Sequence, residues 1–190
     1  MEIASTSLQH YVVDSRASRF TVQAFATGIL SAMGHNPKIG IRAFSGEVDF
    51  SSETAEGSGF RLKMQANSLS VLDDVSDKDR REMERMMNEQ VLEISKYPEI
   101  LYEAPTVSVT RLENALYSVR LNGKLSFHGV TQSQPVTARI AEFGDMLRAS
   151  GEFTLRQSDY SIKPISVAGG ALKVKDELKF SFEMVARKKE

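Results

Sequence analysis

Apolar and polar residues alternate one for one along six stretches of this chain, and no other feature limits its fold so strongly. Across residues 44–50 the pattern is unbroken: Phe44, Gly46, Val48 and Phe50 flank Ser45, Glu47 and Asp49. Residues 19–24, 60–66, 117–122, 149–156 and 178–184 repeat it, and 125–127 continue the stretch at 117–122. Successive side chains of an extended strand point to opposite faces, so each stretch has one apolar and one polar face. Weaker patterns of the same kind cover 39–43, 100–110 and 136–141.

Turn signals at 112–114 and 143–145 join neighbouring strands. Strands linked so closely run antiparallel, because parallel neighbours need long crossovers. Helical spacing occurs in one segment, 76–95, where Met83, Met86, Met87, Val91 and Ile94 share a face. Asp77 and Asp79 stand at its start, where acidic groups suit the helix dipole, and Pro98 follows its end. The plan is three strands, a helix, then five strands. About eight half-apolar strands need their apolar faces covered, and one helix cannot do it; a second sheet or closure into a barrel can. A barrel of that size is either filled by side chains or holds one small ligand, and the alternation is met equally by both.

The 190 residues fit a single domain, 1–190, with no linker, repeat or low-complexity segment. A net charge of −1 gives no global pull toward nucleic acid. The absence of cysteine excludes disulfides, thiol catalysis and cysteine-ligated metal. No apolar run approaches the ~20 residues of a membrane-spanning helix. The first ten residues lack a basic then apolar leader, so the expected location is cytoplasmic. The basic run Arg187, Lys188, Lys189 is expected to be a solvated tail.

Five segments carry a resemblance when taken in order. The first is Tyr11-Val12-Val13-Asp14 followed by Ser18-Arg19-Phe20-Thr21-Val22, and the second is residues 44–50. The third runs from the charged Asp77-Lys78-Asp79-Arg80-Arg81 to Lys96-Tyr97-Pro98-Glu99-Ile100. The fourth is residues 122–131, containing Phe127-His128-Gly129-Val130-Thr131, and the fifth is residues 156–162, containing Arg156, Asp159, Tyr160 and Ile162. Together they resemble the YceI-like polyisoprenoid-binding family across nearly the whole chain. The resemblance implies an all-β fold: an antiparallel lipocalin-like barrel of roughly eight strands with one α-helix inserted between strands. It also implies a long apolar pocket for an isoprenoid chain, of quinone or polyprenyl phosphate type, and a tendency to form homodimers. Members often carry His before the first-strand Ser and after the acidic residue that opens the helix. This chain has Ala17 and Arg80-Arg81-Glu82 there, so no metal set is carried over.

The residues expected to point inward are Phe20, Val22, Phe44, Val48, Phe50, Phe60, Leu62, Met64, Leu125, Phe127, Phe153, Phe180 and Phe182. With Met83 and Met87 from the helix they form the expected ligand-binding set. The helix methionines pack on the barrel or close its mouth, and flexible thioethers suit irregular apolar shapes. Ten Phe and no Trp suit an apolar tunnel with little hydrogen-bonding demand. In the Gly- and Pro-containing loop 28–37, Ile29, Leu30 and Met33 need cover. The pocket mouth, a membrane touched during ligand pick-up, or a second subunit would each provide it. Headgroup candidates are His35, Arg156 and Lys163; a local turn hydrogen bond for His35 and an ion pair with Asp159 for Arg156 are the plainer roles.

None of the three histidines has metal-ligand spacing, and there is neither a nucleophile elbow nor a phosphate loop. The chain is therefore expected to be a binder and not an enzyme: it carries or sequesters an isoprenoid-like lipid, with no other cofactor and no metal. An enzyme using the same pocket, which needs ionisable groups inside, and a ligand-free barrel serving as an interaction module are the alternatives. Expected partners are the apolar small molecule, a transiently touched membrane and a second copy of the chain, but not nucleic acid.

Overall fold

Alternation becomes strand wherever it is strong in the computed structural model, which describes residues 8–28, 36–53, 55–105 and 107–189. In chain order the strands are β1 (Gln9–Val13), β2 (Arg19–Gln23), β3 (Ala26–Thr27), β4 (Lys38–Ile41), β5 (Phe44–Phe50), β6 (Gly59–Gln65), β7 (Leu69–Val71), β8 (Glu99–Ala104), β9 (Val107–Glu113), β10 (Leu116–Phe127), β11 (Val130–Phe143), β12 (Met146–Arg156), β13 (Ser166–Val167), β14 (Leu172–Val174) and β15 (Glu177–Lys188). Helix α1 (Asp77–Met86) lies between β7 and β8.

Several of these strands are halves of one bent stave. β1 and β2 both pair with β15, and β8 and β9 both pair with β10. β4 and β5 lie beside β2 and β1, with β7 and β6 on their far sides. Eight antiparallel staves result among the described residues, three before the helix and five after it. The circuit β1–β5–β6–β8–β10–β11–β12–β15 closes because β15 returns to β1. The expected barrel and its helix are therefore present.

Away from the β1 end the wall parts at two seams. Among the described residues β7 pairs on one side only, with β4, and no strand continues the sheet from it toward β8. β11 pairs with β12 only over 138–143, which leaves 130–137 without that neighbour. Unpaired backbone groups need other partners, and at the first seam the helix supplies them.

At the first seam α1 stands in for the missing strand. Ser76 caps it by accepting the Asp79 N–H at 3.1 Å. Glu84 Oε1 accepts the Val71 N–H at 2.9 Å, while the Arg80 guanidinium donates to the Val71 carbonyl and, at 2.9 Å, to that of Asp73. The helix passes into a wider π turn at Met87–Val91 and stops short of the expected residue 95. The cause is Glu93, which turns left-handed (φ 45°) and gives its carbonyl to the N–H groups of Lys96 and Tyr97. At the second seam the turn Gln157–Tyr160 folds across the gap, with the Gln132 amide donating to the Asp159 carbonyl at 3.2 Å.

The β10–β11 hairpin turns on His128 and Gly129, both at positive φ (50° and 75°), as two-residue hairpins require. A Cβ on Gly129 would stand 2.6 Å from the Tyr97 ring, so glycine lets the hairpin seat against the segment after the helix. The basic run near the C-terminus is not a solvated tail. Arg187 and Lys188 belong to β15, the Arg187 Nε–H donates to Asp14 at 2.8 Å, and the Lys189 N–H bonds the His10 carbonyl. The Arg187 hydrogen bond holds the Asp14 carboxyl below the usual carboxylate range. A small ribbon of β13, β14 and β3, unforeseen in the alternation, lies apart from the main sheet. No helix among the described residues is long and apolar enough to cross a membrane.

Candidate ligand-binding cavity

The inward faces of the staves do not meet. They enclose a cavity of about 530 Å³, within the roughly 300–1,000 Å³ of small-molecule sites. Val48, Phe50, Val119, Ile140, Ala149 and Met184 border it from the closed-circuit end and form its floor. Phe20, Phe60, Leu62, Phe153, Phe180 and Phe182 stand along its walls, joined on the helix side by Met83, Met86, Met87 and Val91. Ile165, Val167, Leu172, Lys173 and Val174, from the small ribbon and its approach, border the mouth.

Side-chain volume explains the space. The inward series of β10 to β12 includes Gly123, Ala138, Ala149 and Gly151, too small to cross the barrel. Rings from the neighbouring strands cover part of that wall: a Cβ on Gly123 would stand 2.3 Å from the Tyr102 ring, and one on Gly151 would stand 2.7 Å from that of Phe182. The remaining phenylalanines gather in pairs. Phe153 and Phe180 stack at 5.0 Å, Phe20 and Phe182 at 6.2 Å. Phe20, Phe60, Phe153, Phe180 and Phe182 pack on the core yet remain half-buried, because they border unfilled space.

Polar groups on this border are few and mostly engaged. The Tyr102 hydroxyl donates to the Gln134 carbonyl at 2.9 Å, and burial pushes its pKa up to about 12. The Gln157 amide donates to the Lys175 carbonyl at 2.9 Å. Among the described residues three charged ones reach the border: Asp49, Asp73 and Lys173. The Asp49 carboxylate lies 2.8 Å from His10 Nδ1, and that of Asp73 accepts the Lys38 N–H at 2.8 Å. Among the described residues no group of three or more His, Asp or Glu is placed to hold a metal ion.

Of the residues expected to bind, all border the cavity except Phe44. Its ring meets Phe20 edge-on at 4.8 Å and supports that ring instead. His35 lies outside the described residues. Arg156 is exposed, paired across the sheet with Glu177, and Lys163 is exposed too; neither borders the cavity. The Arg156 charge instead helps hold the Asp176 carboxyl below its ordinary range, where hydrogen bonding from Ser158 is the larger cause. Met86 borders the cavity with the rest of the helix methionine face, and Tyr102, Ile162 and Lys173 border it from outside the expected set. Tyr102 and Ile100 share an inward face, so the alternation contained that signal. Lys173 had none.

His128 belongs to a separate joint. Its Nδ1 faces the Tyr160 carbonyl at 3.1 Å and its Nε2 faces Glu93 Oε2 at 3.0 Å, with the Tyr97 ring 4.4 Å away. Hydrogen bonding from Lys96, then from His128, holds the Glu93 carboxyl below its ordinary range. This joint ties the segment after the helix to the β10–β11 turn and to the second-seam turn.

The family model described as the YceI-like domain matches residues 11–186. The fold is similar to the crystal structure of BcnA from Burkholderia cenocepacia (TM-score 0.68, 17% identity, covering 91% of this chain and 98% of that one). It is also similar to a structure from Saccharophagus degradans described as a polyisoprenoid binding domain implicated in plant cell wall breakdown (TM-score 0.67, 14% identity, 96% and 100% covered). A third similar structure is a YceI protein from Campylobacter jejuni (TM-score 0.59, 17% identity, 83% and 88% covered). No curated protein sequence matches the chain.

Proposed function

The chain belongs to the YceI-like domain family, and from that premise we propose that its barrel binds, carries or sequesters an isoprenoid-like lipid of quinone or polyprenyl phosphate type. The observation that carries this reading is the unfilled apolar cavity, with half-buried phenylalanines turned toward it. A wall of Phe, Met, Val, Ile and Leu selects for apolar area and shape, not for hydrogen bonds. Each buried methylene contributes about 0.8 kcal/mol, so a chain of about fifteen carbons offers about 12 kcal/mol before the 4–15 kcal/mol cost of association. One isoprene unit, at about 4 kcal/mol, at best matches the smallest of those costs, and each further unit adds about as much again. Most polar groups on the border are engaged in the fold, which supports a holding site over a catalytic one.

The test is equilibrium binding of radiolabelled geranylgeraniol to delipidated protein. Saturable binding of one molecule per chain is expected, together with at least a tenfold loss in Ala149→Phe, which places a ring on the floor. Absence of saturable binding to the wild-type protein would end this reading.

A further inference from the structure

The inward series of β12 continues past the end of the strand. Ala149, Gly151, Phe153 and Leu155 face in, between the exposed Arg148, Ser150, Glu152, Thr154 and Arg156. Arg156 is still extended (φ −101°, ψ 132°), so the next side chain, Gln157, takes the inward side. Gln157 is 4% exposed and borders the cavity. Ile162, whose N–H bonds the Gln157 carbonyl, borders the same space. Gln157 follows Ala149 of the floor by about 27 Å of extended chain.

One end of this buried amide is fixed. Its Nε2 donates to the Lys175 carbonyl at 2.9 Å. A carbonyl only accepts, so the amide cannot be turned over, and Oε1 is the end left free. Oε1 has no hydrogen-bond partner among the described residues. It is not sealed in protein either, since Asn88 Oδ1 is the one enclosed side-chain polar atom without a partner among those residues. On an inward side chain that borders the cavity, the space Oε1 opens on is the cavity. Tyr102, the other inward polar group, already donates its hydroxyl to Gln134. An acceptor on an apolar wall is costly to leave unmet, so it selects a ligand that brings a donor.

We propose that Gln157 Oε1 accepts a hydrogen bond from a hydroxyl on the ligand's head, so that the lipid lies with its tail toward Ala149 and a hydroxyl-headed chain, a prenyl alcohol or a reduced quinone, is preferred over one whose head only accepts. This rests on the reading of the cavity as an isoprenoid site. A quinone or an ether would set lone pairs against lone pairs at Oε1, whereas a hydroxyl would satisfy it. Gln157 is a specificity-determining residue in this account, and the apolar wall still supplies most of the affinity.

Two ligand pairs, each with one chain, test this in delipidated wild-type and Gln157→Met protein. The first is geranylgeraniol and its methyl ether. The second is a geranylgeranyl hydroquinone, kept reduced with dithionite, and its quinone; the chain has no cysteine for the reductant to act on. The wild type should favour the hydroxyl-bearing member of at least one pair by about tenfold, the scale of one buried hydrogen bond met or unmet. The pair with the larger ratio tells an alcohol head from a quinol head. Gln157→Met should bring the ratio close to one and leave the ether's affinity unchanged, which also reports an intact fold. A readout on the wild type alone guards against a variant that does not fold: the Gln157 side-chain amide signals in NMR should shift further with the alcohol than with the ether. No preference in either pair, a preference that survives Gln157→Met, or equal NMR shifts overturns the assignment and leaves the apolar site standing. Failure of all four ligands to bind wild-type protein overturns the site and the assignment together.

Discussion

The two ends of this barrel share one alternating pattern and end in different states. Where β1 meets β15 the circuit is closed, and Tyr11, Val119, Leu147 and Ala186 are at most 1% exposed. Toward the other end the staves part at two seams, a helix and a turn patch them, and inward phenylalanines such as Phe153 and Phe180 stay half-buried. Alternation decides which way a side chain points. It does not decide whether anything meets it. That depends on side-chain volume across the barrel and on whether strands remain paired.

The sharpest way to break this comparison is to truncate one residue at each end of delipidated protein and measure unfolding in urea. Leu147→Ala should cost about 3 kcal/mol, since it opens a void in a packed region. Phe180→Ala removes more atoms yet should cost less, about 1–2 kcal/mol, well under the 3–5 usual for a fully packed ring. Equal or reversed costs would mean that the two ends are packed alike.

A second substitution probes the small-residue wall. Gly123→Ala drives a Cβ into the Tyr102 ring, which its bond to Gln134 holds in place; overpacking of this kind costs about 1–3 kcal/mol. The double variant with Tyr102→Ala should show clear positive coupling in a mutant cycle. Simple additivity would show that the ring does not rest on Gly123.

The patch at the first seam should yield locally. Glu84→Ala removes the acceptor for the Val71 N–H and should cost about 1 kcal/mol. Hydrogen exchange at the Val71 amide should quicken while amides paired between β12 and β15 keep their rates. Uniform quickening would show that helix and barrel open as one unit.

The smallest effect at neutral pH concerns Tyr102. Burial raises its pKa to about 12, whereas the unfolded chain ionises near 10. The unfolded state therefore loses this proton first. The stability that Tyr102 supplies is complete below pH 10 and is lost as pH rises through the folded value. Tyr160 shifts the same way, through burial and then Asp159. The urea midpoint should fall across this alkaline window, and less steeply in Tyr102→Phe; identical slopes would contradict the assignment.

Most of the architecture was legible because period-two patterning survives wherever one face is buried. Strands at 44–50, 60–66 and 178–184, and the order of three staves, a helix and five staves, follow from it directly. The split of the first staves was not legible, since the breaks at 14–18 and 42–43 change partners without erasing the pattern. The two-residue strands of the small ribbon are too short to show a period. In the cavity, the phenylalanines declared themselves by parity. Phe44 shares that parity but spends its ring on Phe20. Arg156 and Lys163 drew attention by sequence neighbourhood, whereas Lys173 reaches the border through tertiary placement of the ribbon, which no local spacing encodes.

The central claim is that this interior is a place for an apolar chain. Native mass spectrometry of freshly purified protein, followed by organic extraction of whatever is released, tests it most directly. The account predicts a bound prenyl-chain compound at one per protein, and its loss in Ala149→Phe. A protein that is empty on purification, and stays empty after incubation with long-chain quinones and polyprenyl phosphates, would contradict it.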